Sequence, residues 1–189
     1  AFVRRLVLWR VAPRWYLLAL VCLPALGLVV GLPFRNGTER LAGSGPAVVL
    51  TYLATLSFLV VLGGGQEEPG WRGFALPRMQ PRMGAVFASV VLGLLWGLWH
   101  LPVFVLVPGY NAAGATVASI AASVLGFTAV GAVGQSLLLT WLFNNTRGSV
   151  LLAVLAHASL NAGSGFVAPG PAASIATWAS FGVVGLGVA

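Results

Sequence analysis

Charge is nearly missing from this sequence. Its 189 residues hold no lysine and no aspartate, three glutamates and two histidines, and charged residues make up only 7% of the chain. A water-soluble domain carries about a quarter charged residues, so the scarcity excludes that class. Cys22 is the sole cysteine, which excludes an internal disulfide and any cysteine-rich metal site. Its place inside an apolar run makes it a small lipid-facing or packed residue. Neither histidine has the H-E-x-x-H neighbourhood of a zinc metalloprotease. The stretch from Asn161 to Gly165 contains Ser164 but falls short of the G-x-S-x-G nucleophile turn.

What is present is apolar. Hydrophobic residues make up 59% of the chain, and the mean hydropathy is +0.97. Lipid must therefore cover most of the surface. The expected fold class is all-α: one polytopic transmembrane helix bundle over residues 1–189, with about six spans of roughly 20 residues each. All ten cations of fixed charge are arginine. On a chain this apolar they read as loop residues facing anionic lipid headgroups, not as a nucleic-acid surface, because no basic patch sits on an amphipathic soluble element. The sequence starts at Ala1 and ends in an apolar run, as a piece of a longer chain would. The first apolar run does not read as a signal peptide: it is long, and Pro33 and Phe34 follow it where small residues would mark cleavage.

Six apolar segments can be drawn: 15–32, 47–62, 84–107, 115–143, 149–167 and 172 to the end. Gly63, Gly64 and Gly65 loosen the second, so a kink is expected there. Helix should resume at Gln66 and run to Leu76, with Pro77 as its stop. With the N-terminus in the cytoplasm, inside loops hold Arg4, Arg5, Arg10, Arg14, Arg72, Arg78, Arg82 and Arg147, and outside loops hold only Arg35 and Arg40. The positive-inside rule then places the chain in the cell membrane with a cytoplasmic N-terminus. If Arg72 lies within the membrane, the bias weakens without reversing.

A charge at the centre of a membrane helix costs about 2.5–3.5 kcal/mol on insertion scales. Glu67, Glu68, His100 and His157 nevertheless all fall in or beside apolar segments, and only Glu39 sits in a polar loop. Glu68 and Arg72 are four apart and can pair on one helix face. Glu67 points about 100° away and is left to face a cavity. Two carboxylates held in different surroundings suit one of them for acid–base work; a plain structural ion pair is the alternative. His157 and Asn161 also share a face, as donors to an oxyanion or as an interhelical polar clasp. His100 follows Trp96 by one turn, as a general base, a metal ligand or a histidine buried by tryptophan packing. Depths counted at 1.5 Å per residue put Glu67 about 13 Å inside Leu76 and His157 about 12 Å inside Ser149, with Asn161 at about 18 Å. His100 comes out at about 24 Å from Gly84, too deep to match.

Taken together, Glu67-Glu68-x-x-x-Arg72, Trp96-x-x-x-His100 and His157-x-x-x-Asn161 resemble the CAAX-protease and bacteriocin-processing (CPBP, or Abi) family of intramembrane proteases, over residues 60–165. The family pattern has phenylalanine where this chain has Trp96. The resemblance implies a glutamate-dependent intramembrane endopeptidase in which Glu67 and His100 activate water, His157 and Asn161 stabilise the oxyanion, and Glu68, Arg72 and Trp96 support them. It implies a membrane-bound protein or peptide substrate, since family members remove the C-terminal tripeptide from prenylated proteins, process peptides or take part in bacteriocin self-immunity. No cofactor is firmly implied. His100, His157 and Glu67 are candidate ligands for a divalent metal such as zinc, although ligation would consume the proposed base. The competing reading is a non-catalytic scaffold, an immunity protein or a small transporter whose polar residues line a path.

Overall fold

The computed structural model describes residues 2–31, 45–107, 116–164, 179–180 and 183–184. Within them the chain forms a short α1 (Phe2–Leu6), then α2 (Pro13–Val30), α3 (Gly45–Met83), α4 (Ala85–Leu106), α5 (Val117–Asn145) and α6 (Val150–Ser164). The structure is an all-α membrane bundle: α2 to α5 are each long and apolar enough to cross a bilayer, and α6 is a shorter apolar helix. The expected sixth span, from 172 to the end, and the loop with Arg35, Glu39 and Arg40 lie outside the described residues or almost so.

α6 is the axle of the bundle. Small residues along it (Ala153, Ala156, Ala158, Ala162 and Gly163) are buried and let α2, α3 and α5 close around it. Leu152, Ala156 and Leu160 join Ala19 and Leu23 of α2 and Leu138, Leu139 and Leu142 of α5 in one apolar core. The first half of α3, Gly45–Leu62, has no fully buried residue, as befits a helix on the lipid side. Cys22 is likewise exposed on the surface of the bundle.

Proline shapes α2. Pro24 has no N–H to offer the carbonyls of Ala19 and Leu20, one turn back, and a π turn spans Leu18–Cys22. In lipid those two carbonyls must find other donors. Ser159 Oγ of α6 donates to Ala19 O, and Tyr52 Oη of α3 donates to Leu20 O at 2.7 Å. A missing backbone donor thus becomes two clasps between helices.

The sequence reading of α3 needs correction. The kink falls where expected: Gly63 leaves helical geometry at φ −127°, ψ −104°. Helix resumes at once, at Gly64 rather than Gln66, and Pro77 does not stop it. Pro77 sits in the first turn of the stretch Leu76–Met83, following a π segment over Pro69–Ala75. As at Pro24, a π segment shifts the hydrogen-bond register just ahead of the ring, with Leu76 N–H bonded to Trp71 O, and the helix passes the proline. The stop is Gly84, at φ +77°.

The arginines of the described residues gather at one end, Arg72 excepted. Arg5 lies over the Phe143 ring at 5.9 Å, and Ser149 Oγ donates to Leu8 O at 2.6 Å. Asn144 Nδ2 donates to Gln80 Oε1 at 2.8 Å, beside Arg78 and Arg82. Arg10 and Arg147 line one cavity. Arg4, Arg5, Arg10, Arg14, Arg78, Arg82 and Arg147 therefore share a face, and Arg72 is withdrawn from it into the bundle, fully buried.

Candidate active site

Gly64 sets the site up. A Cβ there would stand 2.8 Å from Val154 O and 3.3 Å from His157 Cβ, so only glycine lets α3 lie this close to α6. The turn that follows carries Glu68 against His157 and Glu67 against Trp96. Both glutamates thus reach the interior from a kinked helix, next to a π segment, a feature often found at functional sites.

The two carboxylates have different fates. Glu68 is fully buried, and its Oε1 accepts from Arg72 Nη1 at 3.0 Å and lies 2.9 Å from His157 Nδ1. The pairing with Arg72 is as the spacing implied; the bond to His157 is not readable from spacing, because the two residues are 89 positions apart. Glu67 is half-buried, and its Oε2 accepts from the indole Nε1–H of Trp96 at 2.5 Å.

Trp96 is the hub. Its ring packs edge-on to His157 with centroids 5.1 Å apart and to His100 at 5.6 Å, and the Arg72 guanidinium lies 5.2 Å from it. It reaches Glu67 on α3, His157 on α6 and His100 on its own helix. The resemblance gave it only a supporting role; the indole nitrogen, which a phenylalanine would lack, is the signal that was available.

His100 sits where α4 breaks. Pro102 cannot extend the hydrogen-bond ladder, and His100 forms a turn between Ala85–Trp99 and Leu101–Leu106. Its Nδ1 lies 2.9 Å from Trp96 O. A carbonyl only accepts, so Nδ1 carries the proton and Nε2 keeps a lone pair in the neutral ring. By the same logic the His157 Nδ1 proton goes to Glu68. Asn161 is half-buried one turn beyond His157, and among the described residues its side chain has no hydrogen-bond partner.

The apparent depth mismatch of His100 came from the wrong helix end. With α3 running to Met83, Glu67 lies 16 residues from that end, about 24 Å. His100 is also 16 residues, about 24 Å, from Gly84. His157 stands level with Glu68, whose Oε1 its Nδ1 approaches at 2.9 Å.

Among the described residues no three His, Cys, Asp or Glu side chains come together as a metal-binding group. Glu67, His100 and His157 do not meet as ligands, because the Trp96 ring packs against both imidazoles and its N–H occupies Glu67.

Residues 47–163 match the family model for type II CAAX prenyl endopeptidases, Rce1-like. CAAX prenyl protease 2 of Methanococcus maripaludis is 29% identical over 136 residues, covering 72% of this chain. The match takes in 49% of that relative, so the chain spans about half the length of the curated protein it resembles.

Proposed function

This chain belongs to the Rce1-like family of type II CAAX prenyl endopeptidases, and from that premise we propose that it is a membrane-embedded endopeptidase for a membrane-bound, prenylated protein or peptide. The observation that carries the reading is the split between two adjacent carboxylates. Glu68 is committed to Arg72 and His157, whereas Glu67 is held at one oxygen only and keeps the other for chemistry.

In this mechanism Glu67 takes a proton from water as the water attacks the scissile carbonyl, and His100, with its Nε2 lone pair, orients that water. The Asn161 amide and His157 Nε2–H donate to the oxyanion. Because Glu68 already receives the Nδ1 proton, donation from Nε2 requires His157 as imidazolium. The charges then balance: Glu67 and Glu68 against Arg72 and His157. Proton transfer moves one negative charge from Glu67 to the oxyanion and leaves the sum unchanged, which favours reaction in a low dielectric. The arginine-bearing face lies on the cytoplasmic side by the positive-inside rule, with the N-terminus there.

The test is cleavage by the chain in lipid vesicles. A peptide with a prenylated cysteine fourth from its C-terminus should lose its last three residues, read by mass spectrometry, and its unprenylated twin should be cut far more slowly. If neither peptide is cut, and the chain instead carries solutes across the vesicle wall, a transporter reading replaces this one.

A further inference from the structure

The arginine-bearing face has no acid of its own among the described residues. Glu67 and Glu68 are the only side-chain carboxylates described, and both belong to the site above. Arg4, Arg5, Arg10, Arg14, Arg78, Arg82 and Arg147 thus make no ion pair among the described residues.

Two of these arginines meet across a cavity. Arg10, Ala12 and Trp15, where the chain enters α2, and Asn145 and Arg147, where it leaves α5, line an open space of about 440 Å³. That is the volume of roughly 15 waters, more than a single atomic ion needs and room for a polar headgroup.

The walls are tied down. Tyr16 Oη donates to Trp9 O at 2.6 Å, Val11 N to Trp9 O at 2.9 Å and Ser149 Oγ to Leu8 O at 2.6 Å, which fixes residues 8–12. On the other wall Thr146 Oγ1 donates to Leu142 O at 2.7 Å and Asn145 Nδ2 to Trp141 O at 2.9 Å. Arg147 holds φ at +57°, the left-handed position after a helix where glycine or asparagine is usual. The guanidinium groups themselves are uncommitted. That of Arg10 lies over the Trp9 ring at 5.2 Å, and neither it nor that of Arg147 donates a hydrogen bond to the protein among the described residues.

The level of the cavity decides what it meets. Trp15 and Trp141 pack edge-on beside it with centroids 5.4 Å apart, and Trp9 is exposed. Tryptophans gather where lipid headgroups lie. Further along α2, Leu17 and Val21 are exposed and offer an apolar track for acyl chains. Guanidinium groups grip phosphate oxygens in pairs, and basic pockets between membrane helices take phospholipid headgroups.

We propose that the cavity between the start of α2 and the end of α5 binds one anionic phospholipid, with its phosphate between Arg10 and Arg147 and its acyl chains along Leu17 and Val21. The site is separate from Glu67, and the assignment does not rest on the peptidase reading.

Native mass spectrometry of the full chain, released from vesicles of phosphatidylcholine and phosphatidylglycerol in equal parts, tests it. Wild type should retain one phosphatidylglycerol per chain, preferred over phosphatidylcholine by about tenfold or more. Arg10→Gln/Arg147→Gln should lose the preference. Arg78→Gln/Arg82→Gln, which removes the same charge from the same face outside the cavity, should keep it. Excess inorganic phosphate should leave the lipid in place. The proposal is overturned if wild type shows no preference, or if Arg10→Gln/Arg147→Gln retains it. It is overturned equally if both double variants lose the preference alike, as diffuse attraction to the membrane would have it, or if inorganic phosphate empties the site, as for a soluble phosphate ligand. Should Arg10→Gln/Arg147→Gln not fold, wild-type retention, the phosphate competition and the Arg78→Gln/Arg82→Gln variant decide.

Discussion

The indole N–H of Trp96 on α4 donates to Oε2 of Glu67 on α3 at 2.5 Å. The bond fixes one carboxylate oxygen and leaves the other unclaimed. It also ties the second sequence motif to the first. A phenylalanine, which the family pattern carries at this place, would pack similarly and could not make it. Trp96→Phe should therefore lower kcat about tenfold, equivalent to about 1.4 kcal/mol, with little change in Tm. Trp96→Ala should lose far more, since it also strips the ring from between His100 and His157. Equal kcat for wild type and Trp96→Phe would remove the bond from the mechanism.

Glu68 is expected to matter for folding before it matters for rate. Glu68→Gln leaves Arg72 buried without its counter-charge, a loss of about 3–5 kcal/mol. Adding Arg72→Met removes the stranded cation, so the double variant should regain much of that stability. Activity should not return with it, because an amide at position 68 can still accept the His157 Nδ1 proton but no longer supplies the negative charge that the mechanism sets beside it. Thermal unfolding in detergent, beside peptide cleavage, separates the two. A double variant with wild-type turnover would show that Glu68 serves only to pair Arg72.

Gly64 is a spacing requirement. A methyl there would press on Val154 O at 2.8 Å and on His157 Cβ, and overpacking of this kind costs about 1–3 kcal/mol. Gly64→Ala should lower Tm and reduce cleavage together, by moving the two glutamates away from α6. Gly70, where a Cβ would meet nothing within 4 Å, is the control: Gly70→Ala should leave Tm close to wild type.

Much of this was legible in the sequence, for identifiable reasons. Composition sufficed for a helical membrane bundle, because lipid tolerates so few charges. The Glu68–Arg72 pair and the kink at Gly63 were readable because both are local: one is a helix spacing, the other a glycine run. Pro77 misled because a proline in the first turn of a helical stretch has the same letter as one that ends a helix. That error propagated into the depth of Glu67 and made His100 seem out of register. The His157–Glu68 bond could not be read, since it depends on which helix faces come together.

Orientation is open to direct measurement. In a Cys22→Ala background, Arg147→Cys should resist a membrane-impermeant thiol reagent applied to intact cells and react once the cells are opened. Labelling from outside would invert the topology and place the arginine-bearing face on the opposite side.

The central claim is that Glu67 performs the chemistry while Glu68 does not. Glu67→Gln changes one half-buried carboxylate to an amide of the same shape, which can still accept the Trp96 N–H through its carbonyl oxygen. Cleavage of the prenylated peptide by this variant, measured beside wild type at matched Tm, tests the claim most directly. The expected result is an intact fold and loss of cleavage by about two orders of magnitude or more, as for removal of a general base. Cleavage by Glu67→Gln at the wild-type rate would contradict it.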